Sequence, residues 1–272
     1  MNPAIPNQQD YYSIHSITDS TFQINLHNHV FAYLIVGSQK ALLIDTGWGT
    51  VDLKSIVESL TSLPLIVANT HGHLDHIYGN FQFQEVFIKE EDAMLIFFDY
   101  TKEKRESILK RFGEPILPSG MTLDDWLNIK PQKSSFLNDV KYFDLGDRRI
   151  ETIDIPGHTK GSVAFLDRKE RLLFSGDSIL NASIFLHFNL STKLDVYQKS
   201  VDQLIALSDS FDFIYPSHPA APIDPSFLHK LKRAVEQIIQ GEVVGEKREI
   251  YGRQCLVCDF EEFEISIRED SL

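Results

Sequence analysis

Thr70-His71-Gly72-His73-Leu74-Asp75-His76 concentrates four metal-ligand side chains in six residues, directly after an apolar run, Leu63 to Ala68, that reads as a short buried strand. No other feature constrains the chain as strongly. In an extended segment, side chains two apart face the same side, so His71 and His73 can share one metal ion. Asp75 and His76 are adjacent, and a turn into helix at that point aims them elsewhere, toward a second ion. A catalytic ion keeps a position open for water, so each ion needs further ligands from other parts of the chain.

Three candidates stand in the same relation to apolar strands. His158 follows the strand ending at Ile155, Asp177 follows Phe174, and His218 follows Tyr215. Each is the first ligand-type residue after its strand, the place where open α/β sheets put their sites. Singly they would pass for ordinary loop residues. With the cluster, however, five of the ten histidines fall at such positions.

The rest of the chain supplies a scaffold of matching kind. Strands are expected at Tyr12 to Ile17, Thr21 to Leu26, Val30 to Val36 and Ala41 to Ile44, with a hairpin loop at Gly37 to Lys40. A helix follows at Asp52 to Leu60. Glu90 to Phe112 and Leu123 to Ile129 read as helices separated by Gly113, Pro115, Pro118 and Gly120. This helical block at about 90–130 is placed to cap a site. Strands resume at Arg149 to Ile155, Ser162 to Asp167, Arg171 to Phe174 and Phe213 to Tyr215, with helices at Leu194 to Leu207 and Pro225 to Gln240. Gln254 to Asp259 and Phe263 to Ile267 close the chain as strands. Two strand-rich halves separated by helices imply an α/β fold with two mixed sheets packed face to face and helices outside. No linker divides the 272 residues, so a single domain with a helical insertion is expected.

The cluster and its three distant partners resemble the metallo-β-lactamase superfamily, whose hallmark is His-x-His-x-Asp-His followed by a separate His, Asp and His. The resemblance covers about Tyr12 to Ala221. Leu43-Ile44-Asp45-Thr46-Gly47 is similar to that family's early strand and turn, where the aspartate supports a metal ligand from behind. The resemblance implies an αββα sandwich with the metals at one edge. It implies His71, His73 and His158 on one ion, Asp75, His76 and His218 on the other, and Asp177 bridging both. Lys160, where many relatives have proline, is a departure that leaves the ligands untouched.

Such a site implies two divalent ions, zinc first, with iron or manganese as alternatives. Coordination lowers the pKa of water to about 7 and stabilises charge on an attacked carbonyl oxygen. The expected reaction is hydrolysis of an ester, thioester, lactone or amide by a metal-bound hydroxide, with Asp75 orienting the hydroxide and moving its proton. An iron-dependent sulfur dioxygenase of the same fold is the alternative. Candidate walls for a small-molecule substrate are Ser178 to Thr192, with Phe185, His187 and Phe188, the helical block, and His27-Asn28-His29.

Composition removes other classes. A formal charge of −13 opposes binding to a phosphate backbone, so nucleic acid is not expected as a partner. The first ten residues show no secretory signal, and no apolar run is long enough to span a bilayer, so a cytoplasmic protein is expected. Cys255 and Cys258 lack a second pair to complete a four-sulfur site and read as ordinary thiols on opposite faces of a strand.

Overall fold

The computed structural model describes residues 11–219 and 222–271. The expectation about an N-terminal signal, and Ala221 at the end of the span of resemblance, lie outside them. The chain divides into two compact units, Met1–Ile88 with Ala93–Phe136 and Asp144–Asp147, and Lys89–Asp92 with Leu137–Phe143 and Arg148–Leu272.

In the first unit, β1 (Tyr12–Thr18), β2 (Thr21–Leu26), β3 (Val30–Val36) and β4 (Ala41–Ile44) form an antiparallel meander. Short turns permit this, and Gly37–Lys40 is the expected hairpin, with Gly37 N donating to Lys40 O at 2.9 Å. From β4 onward the pairing is parallel, through β5 (Leu65–Ala68) and β6 (Phe87–Ile88) to β7 (Ser135–Phe136). A parallel step needs a crossover, and α1 (Leu53–Leu60) supplies it between β4 and β5. Asp52 caps α1 by accepting from Ser55 N at 3.1 Å, while Leu53, Ile56 and Val57 enter the core. Because β3 and β4 are almost wholly buried, they read as continuous apolar runs.

The helix expected over Glu90 to Phe112 is two helices, α3 (Glu90–Asp99) and α4 (Lys102–Phe112). Thr101 takes an extended backbone and accepts from Lys104 N at 3.3 Å, so a fresh N-cap starts where a continuous helix was expected. α5 (Leu123–Leu127) opens with a Thr122–Asp125 capping box. Tyr78, Tyr100, Ile108 and Trp126 form a buried cluster in this unit. Within it the Arg105 guanidinium lies 4.5 Å from the Tyr78 ring centroid and 4.9 Å from those of Tyr100 and Trp126.

The second unit holds a five-stranded sheet in the order β13 (Phe213–Pro216), β11 (Leu172–Gly176), β10 (Val163–Asp167), β9 (Arg149–Asp154) and β8 (Tyr142–Asp144). Here β9 and β11 are each antiparallel to β10, and β13 is parallel to β11, so β9, β11 and β13 all end at the same edge. Helices α6 (Leu194–Ala206) and α7 (Phe227–Ile239) bury Val201, Leu204, Leu231 and Val235 in this unit's core.

A third, four-stranded sheet adds to the two expected. Its order is β12 (Ser183–Leu186), β16 (Glu264–Ile267), β15 (Arg253–Asp259) and β14 (Glu246–Ile250). The two closing strands pair with each other, and β16 pairs with β12, inside a segment expected to be a substrate-facing loop. Both cysteines lie on β15, are buried, and have thiol pKa values pushed up by that burial, as suits unreactive thiols. Among the described residues no helix is long and apolar enough to cross a membrane.

Candidate metal centre

Asp45 organises the histidine cluster of the first unit. It follows β4 with φ +61°, a left-handed conformation that costs a non-glycine residue about 1 kcal/mol and is best tolerated by Asp and Asn. The side chain is fully buried. Its Oδ1 accepts from Thr70 N at 2.8 Å, and its Oδ2 lies 2.8 Å from both Thr70 Oγ1 and His76 Nδ1. A donor at Nδ1 leaves His76 Nε2 as the ligand-type nitrogen, as ligating histidines require.

The backbone after the cluster is held equally firmly. Thr46 N and Asn69 Nδ2 both donate to His76 O, at 2.8 and 2.9 Å, and Asn80 Nδ2 donates to Asn69 Oδ1 at 2.8 Å. Gly79 passes so near that a Cβ would sit 2.2 Å from Thr46 O, which excludes any larger residue. His73 is the extended N-cap of a short helix, α2 (Leu74–Ile77), so the turn expected between His73 and Asp75 is present. The result places His71 Nε2 3.0 Å from His73 Nδ1, and His76 Nε2 3.6 Å from Asp75 Oδ1.

In the second unit, the common edge of β9, β11 and β13 carries the other three candidates. His158 Nδ1 donates to Phe185 O at 2.7 Å, which makes Nε2 the ligand-type nitrogen, and that atom lies 3.6 Å from Asp177 Oδ2. The same carboxylate oxygen is 3.1 Å from His218 Nε2. The loop after His158 is fastened by Asp92, which is fully buried and accepts from Thr159 Oγ1 at 2.6 Å and Gly161 N at 2.9 Å. Ser217 N donates to Gly176 O at 3.0 Å, locking the starts of the Asp177 and His218 loops together.

These spacings fit metal ions. A tetrahedral zinc with bonds of about 2.0 Å keeps its ligands ~3.3 Å apart, close to the 3.0, 3.1 and 3.6 Å seen between donor atoms. The donors are imidazole nitrogens and carboxylate oxygens alone, a set that suits zinc, iron and manganese alike. Among the described residues, the ligand-type side chains His29, His71, His73, Asp75 and His76 belong to one unit, and His158, Asp177 and His218 to the other.

Sequence reasoning left His29 among substrate-facing candidates, yet a ligand-type atom of it lies within 4.8 Å of one on Asp75. It missed Asp92 and the Phe185 carbonyl. The first looks like any acid in a first helical turn, and a backbone oxygen leaves no mark in sequence. His187, a candidate pocket wall, is 2% exposed, with Nδ1 2.7 Å from Ser266 Oγ. Burial first, then the neighbouring His158 and Arg253, lowers its pKa to about 4. It is scaffold. His27 is similar: it stacks on Phe112 with centroids 4.5 Å apart, pairs with Thr50 Oγ1 at 2.7 Å, and burial lowers its pKa to about 4.

The chain is similar to several known proteins. Acyl-coenzyme A thioesterase MBLAC2 of Homo sapiens is 27% identical over 235 residues, 77% of this chain and 81% of that protein. Hydroxyacylglutathione hydrolase GloC of Haemophilus influenzae is 28% identical over 152 residues, 54% of this chain and 64% of that protein. Among solved structures, a metallo-beta-lactamase family protein of Thermus thermophilus superposes with a TM-score of 0.60 at 21% identity, covering 84% of this chain and 83% of that one. A metallo-beta-lactamase from Pontibacter korlensis gives 0.57 at 18% identity, covering 83% and 99%. These structures share the fold, an α/β architecture with mixed sheets and helices. The family model of the metallo-beta-lactamase superfamily matches residues 27–218, well over half of the chain and inclusive of every candidate ligand, and the chain belongs to that superfamily.

Proposed function

We propose that the chain is a dinuclear metal-dependent hydrolase acting on thioesters. The observation that carries the reading is the pair of half-sites whose donor atoms stand at ligand spacing, each with its histidine tautomer set by a fixed partner. Family membership and two relatives named for acylated thiols support it. His71, His73 and His158 would hold one ion and Asp75, His76 and His218 the other, with Asp177 available to both. The reading takes the chain as a single metallo-β-lactamase-like domain with the block at about 90–130 as a helical insertion.

Divalent ions bound there, zinc in the first place, supply Lewis acidity that brings the pKa of water to about 7 and draws charge from a carbonyl oxygen. The chain's own groups supply orientation and proton transfer. Asp75, with its side chain 16% exposed beside His76, reaches the reacting water, orients it and takes its proton. Asp45 acts only through His76, holding its ring in place. Thiols ionise near pH 8.5, so a thiolate leaves without a strong proton donor, which favours thioesters over amides at such a site.

The test follows thiol release from acetyl-coenzyme A and S-acetyl-N-acetylcysteamine by metal-loaded enzyme and by Asp75→Asn. The reading expects turnover by the native enzyme and a loss of at least ~100-fold in kcat for the variant. Oxygen uptake with a persulfide and no thiol release would replace the hydrolase with the dioxygenase.

A further inference from the structure

The family match ends at residue 218, yet β14 and β15 beyond it reach the neighbourhood of His158. The connection runs through β12, whose Phe185 carbonyl accepts the His158 hydrogen bond and whose partner strand is β16. At the tip of the β14–β15 hairpin stand Tyr251 and Gly252, both with positive φ, +50° and +71°. Two-residue turns of this kind favour Asn-Gly, and a bulky residue in the left-handed position is strained. Tyr251 is nevertheless there, 67% exposed. Strain retained against an easy alternative clusters at ligand clamps.

The ring has a specific neighbourhood. Its centroid lies 5.7 Å from Phe185, nearly perpendicular, and 6.2 Å from Phe188 at 32°. Phe185 and Phe188 are 6.0 Å apart, and Phe188 meets the His158 ring edge-on at 5.8 Å. A shelf of aromatic rings therefore runs from the hairpin tip to a candidate ligand, with Arg268 bonded to the Phe188 carbonyl at 3.1 Å on its border. All of these residues belong to the second unit.

We infer that Phe185, Phe188 and Tyr251 form the subsite for the apolar acyl group of the substrate, with Tyr251 setting the preference for longer chains. The inference rests on the thioesterase reading above. Proximity selects the occupant: the shelf begins one ring from His158, where the acyl group attached to the reacting carbonyl must lie. The nucleotide of an acyl-coenzyme A is separated from that carbonyl by the whole pantetheine arm.

Metal-loaded enzyme is compared with Tyr251→Asn and Tyr251→Phe on S-hexanoyl- and S-acetyl-N-acetylcysteamine. In Tyr251→Asn the hexanoyl-to-acetyl ratio of kcat/KM is expected to fall about fivefold, mainly through KM, while Tm rises because Asn suits the turn. Tyr251→Phe keeps the ratio. An unchanged ratio in Tyr251→Asn overturns the subsite, as does weaker binding of free coenzyme A with selectivity intact, which would assign the shelf to the nucleotide. Should the native enzyme hydrolyse neither thioester, the thioesterase reading fails, and the shelf is tested by calorimetric titration with the thioether S-hexyl-N-acetylcysteamine. Weaker binding to Tyr251→Asn than to the native protein upholds the shelf; equal binding overturns it.

Discussion

Asp45 shows how one side chain can govern a site without touching its contents. Its carboxylate fixes Thr70 through two contacts and His76 through one, all at 2.8 Å, from a backbone position few residues tolerate. Asp45→Ala removes the partner that sets the His76 tautomer, so metal affinity or activity is expected to drop by ~10–100-fold. Metal titration of the purified variant checks this, and native affinity would refute it. His27 offers a pH prediction. Its folded pKa, about 4, lies below the ordinary 6.5, so between those values the unfolded chain binds the extra proton. The stability from neutral His27 is complete above pH 6.5 and is lost as pH falls toward 4. It is worth about 2 kcal/mol after allowance for the ring's partial exposure. Urea unfolding should show a shallower acid decline for His27→Asn, which suits the left-handed backbone at this position, φ +57°. Parallel declines would exclude the effect. At this scale the sequence was most legible where candidate ligands follow apolar strands directly, as His71 to His76, His158, Asp177 and His218 do. It was silent on the Phe185 carbonyl and on Asp92, because their partners lie 27 and more than 60 residues away.

Among the elements, α3 does more than its sequence suggests. Its first turn delivers Asp92 to the loop that carries His158, where two donors converge on one buried carboxylate. Asp92→Ala leaves the Gly161 N–H short of its acceptor and the Thr159 hydroxyl with Ser162 Oγ, 2.9 Å away, in place of the carboxylate, with an expected cost of about 1–3 kcal/mol. Chemical denaturation measures that loss, and a change within about 0.5 kcal/mol, the range of an ordinary surface substitution, would show the loop to be held by other means. Elements with strong local periodicity, such as α1, α6, α7 and the first four strands, were readable in advance. The break at Thr101 was hidden by a continuous helical pattern in which one threonine prefers to cap. β12 was hidden for a different reason: four residues paired with a strand some eighty positions later carry no local signature.

For the whole molecule, strand-rich halves around a helical block foretold the α/β class, the histidine cluster and its distant partners foretold the family, and the third sheet extends that plan through strands beyond the family match. Such a plan places candidate ligands at strand ends and leaves specificity to loops and additions, which is why the candidate ligands were easier to read than the substrate. The central claim is the proposed single centre of two ions that share Asp177. Its most direct test is elemental analysis of protein purified without added ions, native and Asp177→Ala, alongside thioester hydrolysis. The account predicts about two divalent ions per native chain, and in the variant a loss of metal together with the loss of hydrolysis. Native metal stoichiometry with full activity in Asp177→Ala would contradict it.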